Sequence, residues 1–306
     1  MSKFIIAIDL GGTNLRLALL DLNYRIKAKE VLDTRRFAEK TGLILAILNA
    51  VNAIIHKSGL KKTDILGLGL GVPGPVDADK GVVHFFPNIP GWKEVKLCEI
   101  LSKKTGLRVM LDNDAKLMAR AEYKAGMAWG FSNVLCMTLG TGVGAGIILS
   151  GRMYRGKDNA AGEIGHLPIN EDGPLCNCGG KACLESYVGN TRLIKEAERL
   201  FKKRISLEEL SLLACKNNRI ALKLWKDAGR RIGIALAAVT NLLNLDAVVI
   251  GGGVANAGKV LFDAIRLTLK ERAMTVQAKR VKVFKARLGK DAGLIGAAML
   301  IKEGLG

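Results

Sequence analysis

The sequence predicts an α/β chain of two related lobes. Three observations carry that expectation. Short apolar runs of strand character alternate with longer runs of helical period. A strand, glycine turn and strand follow one another twice, at Asp9-Leu10-Gly11-Gly12-Thr13 and at Thr138-Leu139-Gly140-Thr141-Gly142. The length of 306 residues exceeds what one hydrophobic core ordinarily serves.

Residues 3–8 read as a buried strand, and Leu15, Leu17 and Leu19 then keep strand spacing, so the first glycine turn joins strand to strand. From Thr41 to His56 the apolar residues Leu43, Ile44, Ile47, Leu48, Val51, Ile54 and Ile55 fall on one helical face. Ile65–Val72 is a strand ending in Pro73-Gly74-Pro75, and Arg108–Leu111 is a short strand running into Asn113-Asp114. A helix follows from Ala115 to Lys124, with Asp114 suited to be its N-cap. Val134–Leu139 and Ile147–Leu149 are strands, with a glycine loop at 140–146 between them. Helices dominate from Arg192 to Leu243. Ala247–Ile250 is a strand, Gly251-Gly252-Gly253 a turn, and Val260–Arg272 a helix. One lobe is expected to comprise residues 1–115 with a C-terminal helix at about 293–306, and the other residues 116–292.

Composition excludes several classes. Hydrophobic residues are 49% and charged residues 25%, which argues for a packed globular chain. The start lacks a signal-peptide pattern, because its apolar run is short and contains Asp9. The greasy stretch from Ile232 to Ile250 is interrupted by Thr240, Asn241, Asn244 and Asp246, so it reads as a helix and a strand rather than a membrane span. A cytoplasmic setting is expected. The formal charge is +19, yet no basic run is interleaved with aromatics, which are 5% of the chain, so a solvated basic surface is expected rather than a nucleic-acid site. Gln277 is the only glutamine and lysine is abundant, a composition that leans towards heat adaptation.

The glycine turns suit a polyphosphate. Close approach and inward N–H donors need residues without a Cβ. Gly11, Gly12, Thr13 and Asn14 in the first turn, Gly140, Thr141, Gly142 and Gly144 in the second, and Gly252-Gly253 are the candidates. Asp9 is placed to organise a magnesium ion through the phosphates. Gly253 to Lys259 mimics a P-loop, but Val260 stands where a metal-binding hydroxyl is needed. Glycines leading into strands also disfavour a Rossmann site.

His166, Cys176, Cys178 and Cys183 offer one imidazole and three thiolates, a donor set for tetrahedral zinc in a closed structural site. A reduced, metal-free cluster is the alternative; in a turn-rich loop it would be open to oxidation. Cys98, Cys136 and Cys215 stand alone and are expected to be small core residues. Asp114, at the end of a buried strand, is the candidate base for phosphoryl transfer to a hydroxyl. Glu163, His166 and Glu185 flank the metal loop, and Asn88 and Asn113 can donate and accept together, as sugar diols require. Trp92 could pack against a sugar ring, but a lone Trp is more often a core residue.

These motifs resemble the ROK group (repressors, open reading frames and sugar kinases), nearest to its bacterial-type glucokinases. The resemblance runs through Asp9 to Asn14, Pro87-Asn88-Ile89-Pro90-Gly91-Trp92, Asp112 to Ala115, Leu139 to Gly144, Gly162-Glu163-Ile164-Gly165-His166, Cys176-Asn177-Cys178-Gly179, Cys183-Leu184-Glu185 and Ile250 to Gly253. It implies a two-lobed actin-like ATPase (ribonuclease H-like) fold with nucleotide and sugar in the interlobe cleft. It implies ATP, Mg²⁺ or another divalent ion, and structural Zn²⁺. It implies Asp114 as the base that takes the proton of a hexose 6-hydroxyl, with Asn88, Asn113, Glu163, His166 and Glu185 on the sugar. His166 would bind zinc through one nitrogen and face the sugar with the other. Ala182 stands where the family usually has Gly, and Leu245 where Pro commonly stands. Glucose is the expected acceptor; N-acetylmannosamine, N-acetylglucosamine and other hexoses are alternatives, as is polyphosphate as donor. A sugar-sensing repressor is disfavoured, because the first strand begins by Lys3 with no helix-turn-helix before it. A homodimer or higher homo-oligomer is the default.

Overall fold

The computed structural model describes residues 3–12, 14–37, 39–86 and 91–305. The chain divides into two compact units. Unit 1 holds residues up to Ala121, the segment Arg155–Ala161, and Lys290 onward; unit 2 holds Glu122–Tyr154 and Gly162–Gly289.

Unit 1 is built on strands β1 (Phe4–Leu10), β2 (Asn14–Asp21), β3 (Ile26–Asp33) and β4 (Ile65–Val72). The short strands β5 (Val76–Asp77), β6 (Val82–Phe85) and β7 (Lys93–Val95) form a three-stranded antiparallel sheet of their own. The strand β8 (Val109–Asn113) completes the main sheet, whose order is β3-β2-β1-β4-β8. Strands β1, β4 and β8 run parallel, and β2 and β3 are antiparallel additions. The helices are α1 (Lys40–Lys57), α2 (Leu97–Thr105) and α3 (Asp114–Ala125), the last crossing the division between units.

Side chains alternate across a strand, and β1 separates two cores on that rule. Ile6, Ile8 and Leu10 join one cluster with α1 and α2, while Ile5 and Ala7 join another with the C-terminal helix. Asp9 continues the second face. Burial on both faces explains why residues 4–8 of β1 read as an unbroken apolar run. Strand β4 has the sequence ILGLGLGV, with its glycines on one face. A Cβ at Gly69 would lie 2.1 Å from the Ala297 carbonyl oxygen, so glycine lets the C-terminal helix rest directly on the strand.

Unit 2 repeats the scheme. Its strands are β9 (Val134–Leu139), β10 (Val143–Leu149), β11 (Arg152–Tyr154), β12 (Ala247–Gly251) and β13 (Lys282–Lys285), in the order β11-β10-β9-β12-β13. Its helices are α4 (Glu185–Val188), α5 (Asn190–Phe201), α6 (Leu207–Cys215), α7 (Arg219–Leu243), α8 (Lys259–Arg272) and α9 (Thr275–Arg280), and α10 (Ala292–Glu303) is the C-terminal helix of unit 1. Asn218 caps α7 by accepting the N–H groups of Ile220 and Ala221. The core includes Leu135, Met137, Val248 and Ile250 from the sheet and Trp225, Ile232 and Ile265 from the helices.

Three expectations are corrected. The loop expected at 140–146 is a turn at 140–142, because β10 already begins at Val143 and Gly144 and Gly146 are strand residues paired with Thr138 and Cys136. Asp114 is the first helical residue and not the cap: Asn113 Oδ1 accepts the N–H groups of Ala115 at 3.0 Å and Lys116 at 3.3 Å. Cys215 is exposed at the end of α6, whereas Cys136 is buried and Cys98 half-buried, with burial pushing both thiols up, Cys98 to about 12. Trp92 is in the core, 2% exposed, with its ring centroid 5.4 Å from that of Phe86. No helix among the described residues is long and apolar enough to cross a membrane.

Candidate active site

In open α/β sheets ligands gather at the carboxyl ends of parallel strands. The ends of β1 and β8 in unit 1 and of β9 and β12 in unit 2 carry part of the expected site residues.

In unit 1, β1 runs into Gly11, whose N–H donates to the Asn14 carbonyl at 2.8 Å and whose carbonyl accepts from Thr34 Oγ1 at 3.2 Å. Gly12 and Asn14 are exposed; Thr13 and Asn88 lie outside the described residues. Asp9 is 7% exposed, and its Oδ2 accepts from Arg16 Nη2 at 2.5 Å. Burial pushes the Asp9 carboxyl up, against the pull of Arg16 and Lys29. A Cβ at Gly293 would come within 2.9 Å of that carboxylate, so Asp9 faces the first turn of α10.

The β8 end carries Asn113 and Asp114, both half-buried. Asn113 Nδ2 donates to the Gly74 carbonyl at 3.1 Å. Both lone pairs of its oxygen serve α3, which leaves one N–H for a ligand. Asp114 Oδ1 accepts the N–H of Ala115 at 2.8 Å, and the helix N-terminus favours its negative charge.

In unit 2 the turn is closed by the Gly140 N–H donating to the Gly142 carbonyl at 2.9 Å, with Thr141 exposed. Glu185, at the start of α4, accepts the N–H of Val143 at 2.8 Å, so the carboxylate expected on the sugar sits against the phosphate turn. Gly252 has φ +88°, and a Cβ there would lie 2.2 Å from the Leu139 carbonyl oxygen. The triple-glycine turn therefore packs on the end of β9. Asn190, missed in the sequence, links the two turns. Its N–H donates to the Gly140 carbonyl at 2.9 Å, and its side-chain nitrogen is 3.5 Å from where a Gly253 Cβ would stand. Its Oδ1 is enclosed with no hydrogen-bond partner among the described residues. Lys259 pairs with Asp263 one turn along α8.

The four metal candidates converge. Their ligand atoms all lie within 4.8 Å of one another. Cys176 Sγ is 3.6 Å from His166 Nδ1, and Cys178 Sγ is 3.7 Å from Cys183 Sγ. Two thiolates at about 2.3 Å from a tetrahedral zinc stand about 3.8 Å apart, so these edges fit. Burial pushes the Cys176 thiol up, and hydrogen bonds from the Cys178 backbone and the His166 ring outweigh it, leaving it at about 7. Burial, reinforced by Cys178 and Cys176, pushes Cys183 up to about 12. Crowded thiols resist losing their protons together, and a divalent cation removes that resistance. Nδ1 faces the sulfurs, which leaves Nε2 for another partner. Glu163, one residue before the 3₁₀ turn Ile164–His166, is exposed. Ala182 holds φ +56°, the left-handed conformation that glycine adopts most readily, and Leu245 is buried at 2%.

Comparison with known proteins agrees with this architecture. The chain is 31% identical to a glucokinase of Thermotoga maritima, over 99% of this chain and 98% of that one. It is 28% identical to a xylose repressor of Caldicellulosiruptor bescii, over 98% of this chain and 78% of that one. A crystal structure of a ROK glucokinase from Streptomyces griseus, in complex with glucose and AMPPNP, superposes with a TM-score of 0.86 at 30% identity, covering 98% of this chain and all of that one. The fold is the two-lobed, actin-like sugar kinase fold. The ROK family model matches residues 5–304, and the chain belongs to the ROK family.

Proposed function

We propose that this chain is an ATP-dependent hexokinase that phosphorylates the 6-hydroxyl of a hexose, glucose foremost, in the cytoplasm. The observation that carries the reading is Asp114. It stands at the carboxyl end of a parallel strand, on the first turn of α3, while Asn113 does the capping. The Asp114 carboxylate, whose Oδ1 accepts the Ala115 N–H, stands at that strand end as the base of this reading.

In this reading Asp114 takes the 6-hydroxyl proton as the oxygen attacks the γ-phosphorus. The bond from that phosphorus to its bridging oxygen breaks and ADP leaves. Asn113, Glu163, His166 and Glu185 hold the remaining hydroxyls, as does Asn88. Gly11, Gly12, Thr13, Asn14, Gly140, Thr141, Gly142, Gly144, Gly252, Gly253 and Asn190 line the nucleotide. Glycine backbone N–H groups approach phosphate oxygens at close range, and their dipoles are fixed before the charge develops. Asp9 would be the carboxylate that addresses a divalent ion, Mg²⁺ in the first instance, which when bound would supply charge neutralisation on the phosphates. His166, Cys176, Cys178 and Cys183 would hold zinc, which would rigidify the loop between Glu163 and Glu185.

The similarity to a xylose repressor favours a second reading, a sugar-binding regulator without turnover. ATP consumption with Mg²⁺ across a panel of hexoses and N-acetylhexosamines separates the two. Turnover with glucose above the others supports the proposal. Turnover with N-acetylmannosamine alone moves the assignment to that sugar. Sugar binding without turnover in zinc-loaded protein favours the regulator.

A further inference from the structure

Asp112 is fully buried, and Arg155 closes on it as a fork. Nη1 donates to Oδ1 at 3.0 Å and Nη2 to Oδ2 at 2.6 Å. The same Oδ1 accepts the N–H of Asn113 at 2.9 Å. A two-pronged guanidinium fixes both the plane and the direction of a carboxylate, which a single ammonium does not. The Asp112 carboxylate is thus clamped between Arg155 and the backbone that leads into Asn113 and Asp114.

Arg155 opens the segment Arg155–Ala161, which belongs to unit 1 although the residues on either side of it belong to unit 2. The segment is folded on itself, the Ala161 N–H donating to the Arg155 carbonyl at 2.9 Å and Arg155 Nη1 reaching Asn159 Oδ1 at 3.4 Å. It is also held from α3. Lys116, 3% exposed, donates from Nζ to the Asn159 carbonyl. Asp112 stands two residues before Asp114 and Lys116 two residues after it. One short segment therefore grips the chain on both sides of Asp114. The paired carboxylate also pushes the Arg155 guanidinium further up, so the cation is permanent.

We propose that Arg155 is a positioning residue for Asp114: acting through Asp112, it makes the 155–161 segment a strap that aims the Asp114 carboxylate. This rests on the reading of Asp114 as base. No spacing rule links residues 112 and 155, and neither was a candidate in the sequence. Placement errors of about 1 Å at a reacting group can cost about a hundredfold in rate, which sets the expected size of the effect.

The test uses full-length, zinc-loaded protein with Mg²⁺-ATP and the preferred sugar, and compares Arg155→Met, Arg155→Lys, the double variant Asp112→Asn/Arg155→Met, and Asp114→Asn. Arg155→Met is expected to lower kcat about a hundredfold while both KM values stay within about threefold. Arg155→Lys keeps the charge and loses the fork, and is expected to lower kcat about tenfold with KM unchanged. The double variant is expected to match Arg155→Met within about threefold, because the pair acts as one unit. A merely structural role would move Tm and both KM values and leave the kcat of the folded fraction intact; that result overturns the proposal. Should Arg155→Met fail to fold, Arg155→Lys decides, and a wild-type kcat in it overturns the proposal. An active Asp114→Asn overturns the base reading and the proposal resting on it. An inactive Asp114→Asn beside fully active Arg155 variants overturns the positioning alone.

Discussion

The β1–β2 hairpin of unit 1 and the β9–β10 hairpin of unit 2 share a plan and differ in what they carry. Each lies beside a parallel strand in a sheet of the same order, β3-β2-β1-β4-β8 and β11-β10-β9-β12-β13. Each turn opens with a glycine N–H donating to a carbonyl across the turn, at 2.8 Å for Gly11 and 2.9 Å for Gly140. The last strand pairs are Leu10 with Leu15 and Leu139 with Val143. One pair further back, Asp9 faces Arg16 in unit 1, and Thr138 faces Gly144 in unit 2. The scaffold repeats while a single register position switches from an ion pair to a small neutral pair. At the turn itself unit 1 thus carries a charged pair, Asp9 with Arg16, where unit 2 carries Thr138 with Gly144. Unit 2 also carries the His166, Cys176, Cys178 and Cys183 cluster.

The largest expected break falls on the charged half. Asp114→Asn keeps the shape of the side chain and removes the base. It should lower kcat by about a thousandfold, in the range general-base catalysis supplies. The sugar KM should stay within a few fold. Steady-state kinetics checks this, and a rate within tenfold of wild type would remove Asp114 from the reaction.

The next effect falls on the metal half. Stripping zinc with a chelator should release the loop between Glu163 and Glu185. With apparent zinc binding energies on the order of 10 kcal/mol in structural sites, Tm should fall by about ten degrees or more and sugar affinity should drop with it. Calorimetry on protein whose metal content has been measured reads both. An unchanged Tm after verified removal would leave the cluster without a structural role.

A contrast between the two glycine turns comes third. Gly252→Ala drives a Cβ to 2.2 Å from the Leu139 carbonyl at φ +88°, so backbone must shift. A loss of about 3 kcal/mol or more is expected. Gly11→Ala brings a Cβ to 3.1 Å from the Asn14 carbonyl without a positive φ, and should cost about 1 kcal/mol or less. Urea unfolding of the two variants checks the difference. Equal losses would mean that β9 and its neighbouring turn are less tightly packed than their contacts indicate.

Much of this plan was legible because it is local. Ile65–Val72 and Val134–Leu139 coincide with β4 and β9, since apolar runs bounded by glycine and proline signal strands directly. The convergence of His166, Cys176, Cys178 and Cys183 was legible because thiols and imidazole within one loop have few other uses. What sequence spacing hid is of two kinds. Val143 to Gly146 looked like loop because glycine is a turn signal, yet their partners in β9 hold them as strand. Asn113 and Asp114 are both good caps, and only the hydrogen bonds to Ala115 and Lys116 decide between them. Asn190 and Arg155 act over long separations, where neither periodicity nor a motif reports. The fork on Asp112 spans 43 positions.

The smallest effect tests the register position itself. Burial pushes the Asp9 carboxyl above its ordinary value in spite of Arg16. The folded state then binds a proton more readily than the unfolded chain. As pH rises from the unfolded value through the raised folded value, stability is lost, and the penalty stays in force at neutral pH. Asp9→Asn removes the titration. Its Tm at pH 7 should be equal to or above that of the wild type, and the loss of wild-type stability on passing upward from about pH 4, the ordinary carboxylate range, should vanish in the variant. The KM for Mg²⁺-ATP should nonetheless rise about tenfold, the loss of one carboxylate from the nucleotide site. Thr138→Val, at the matching place in unit 2, should change neither quantity by more than about twofold or a degree or two, because no charge resides there. A Tm for Asp9→Asn well below the wild type would mean that the Arg16 pair outweighs burial. The charge in unit 1 would then be a structural device, and the two hairpins would differ in how they are held together rather than in what they bind.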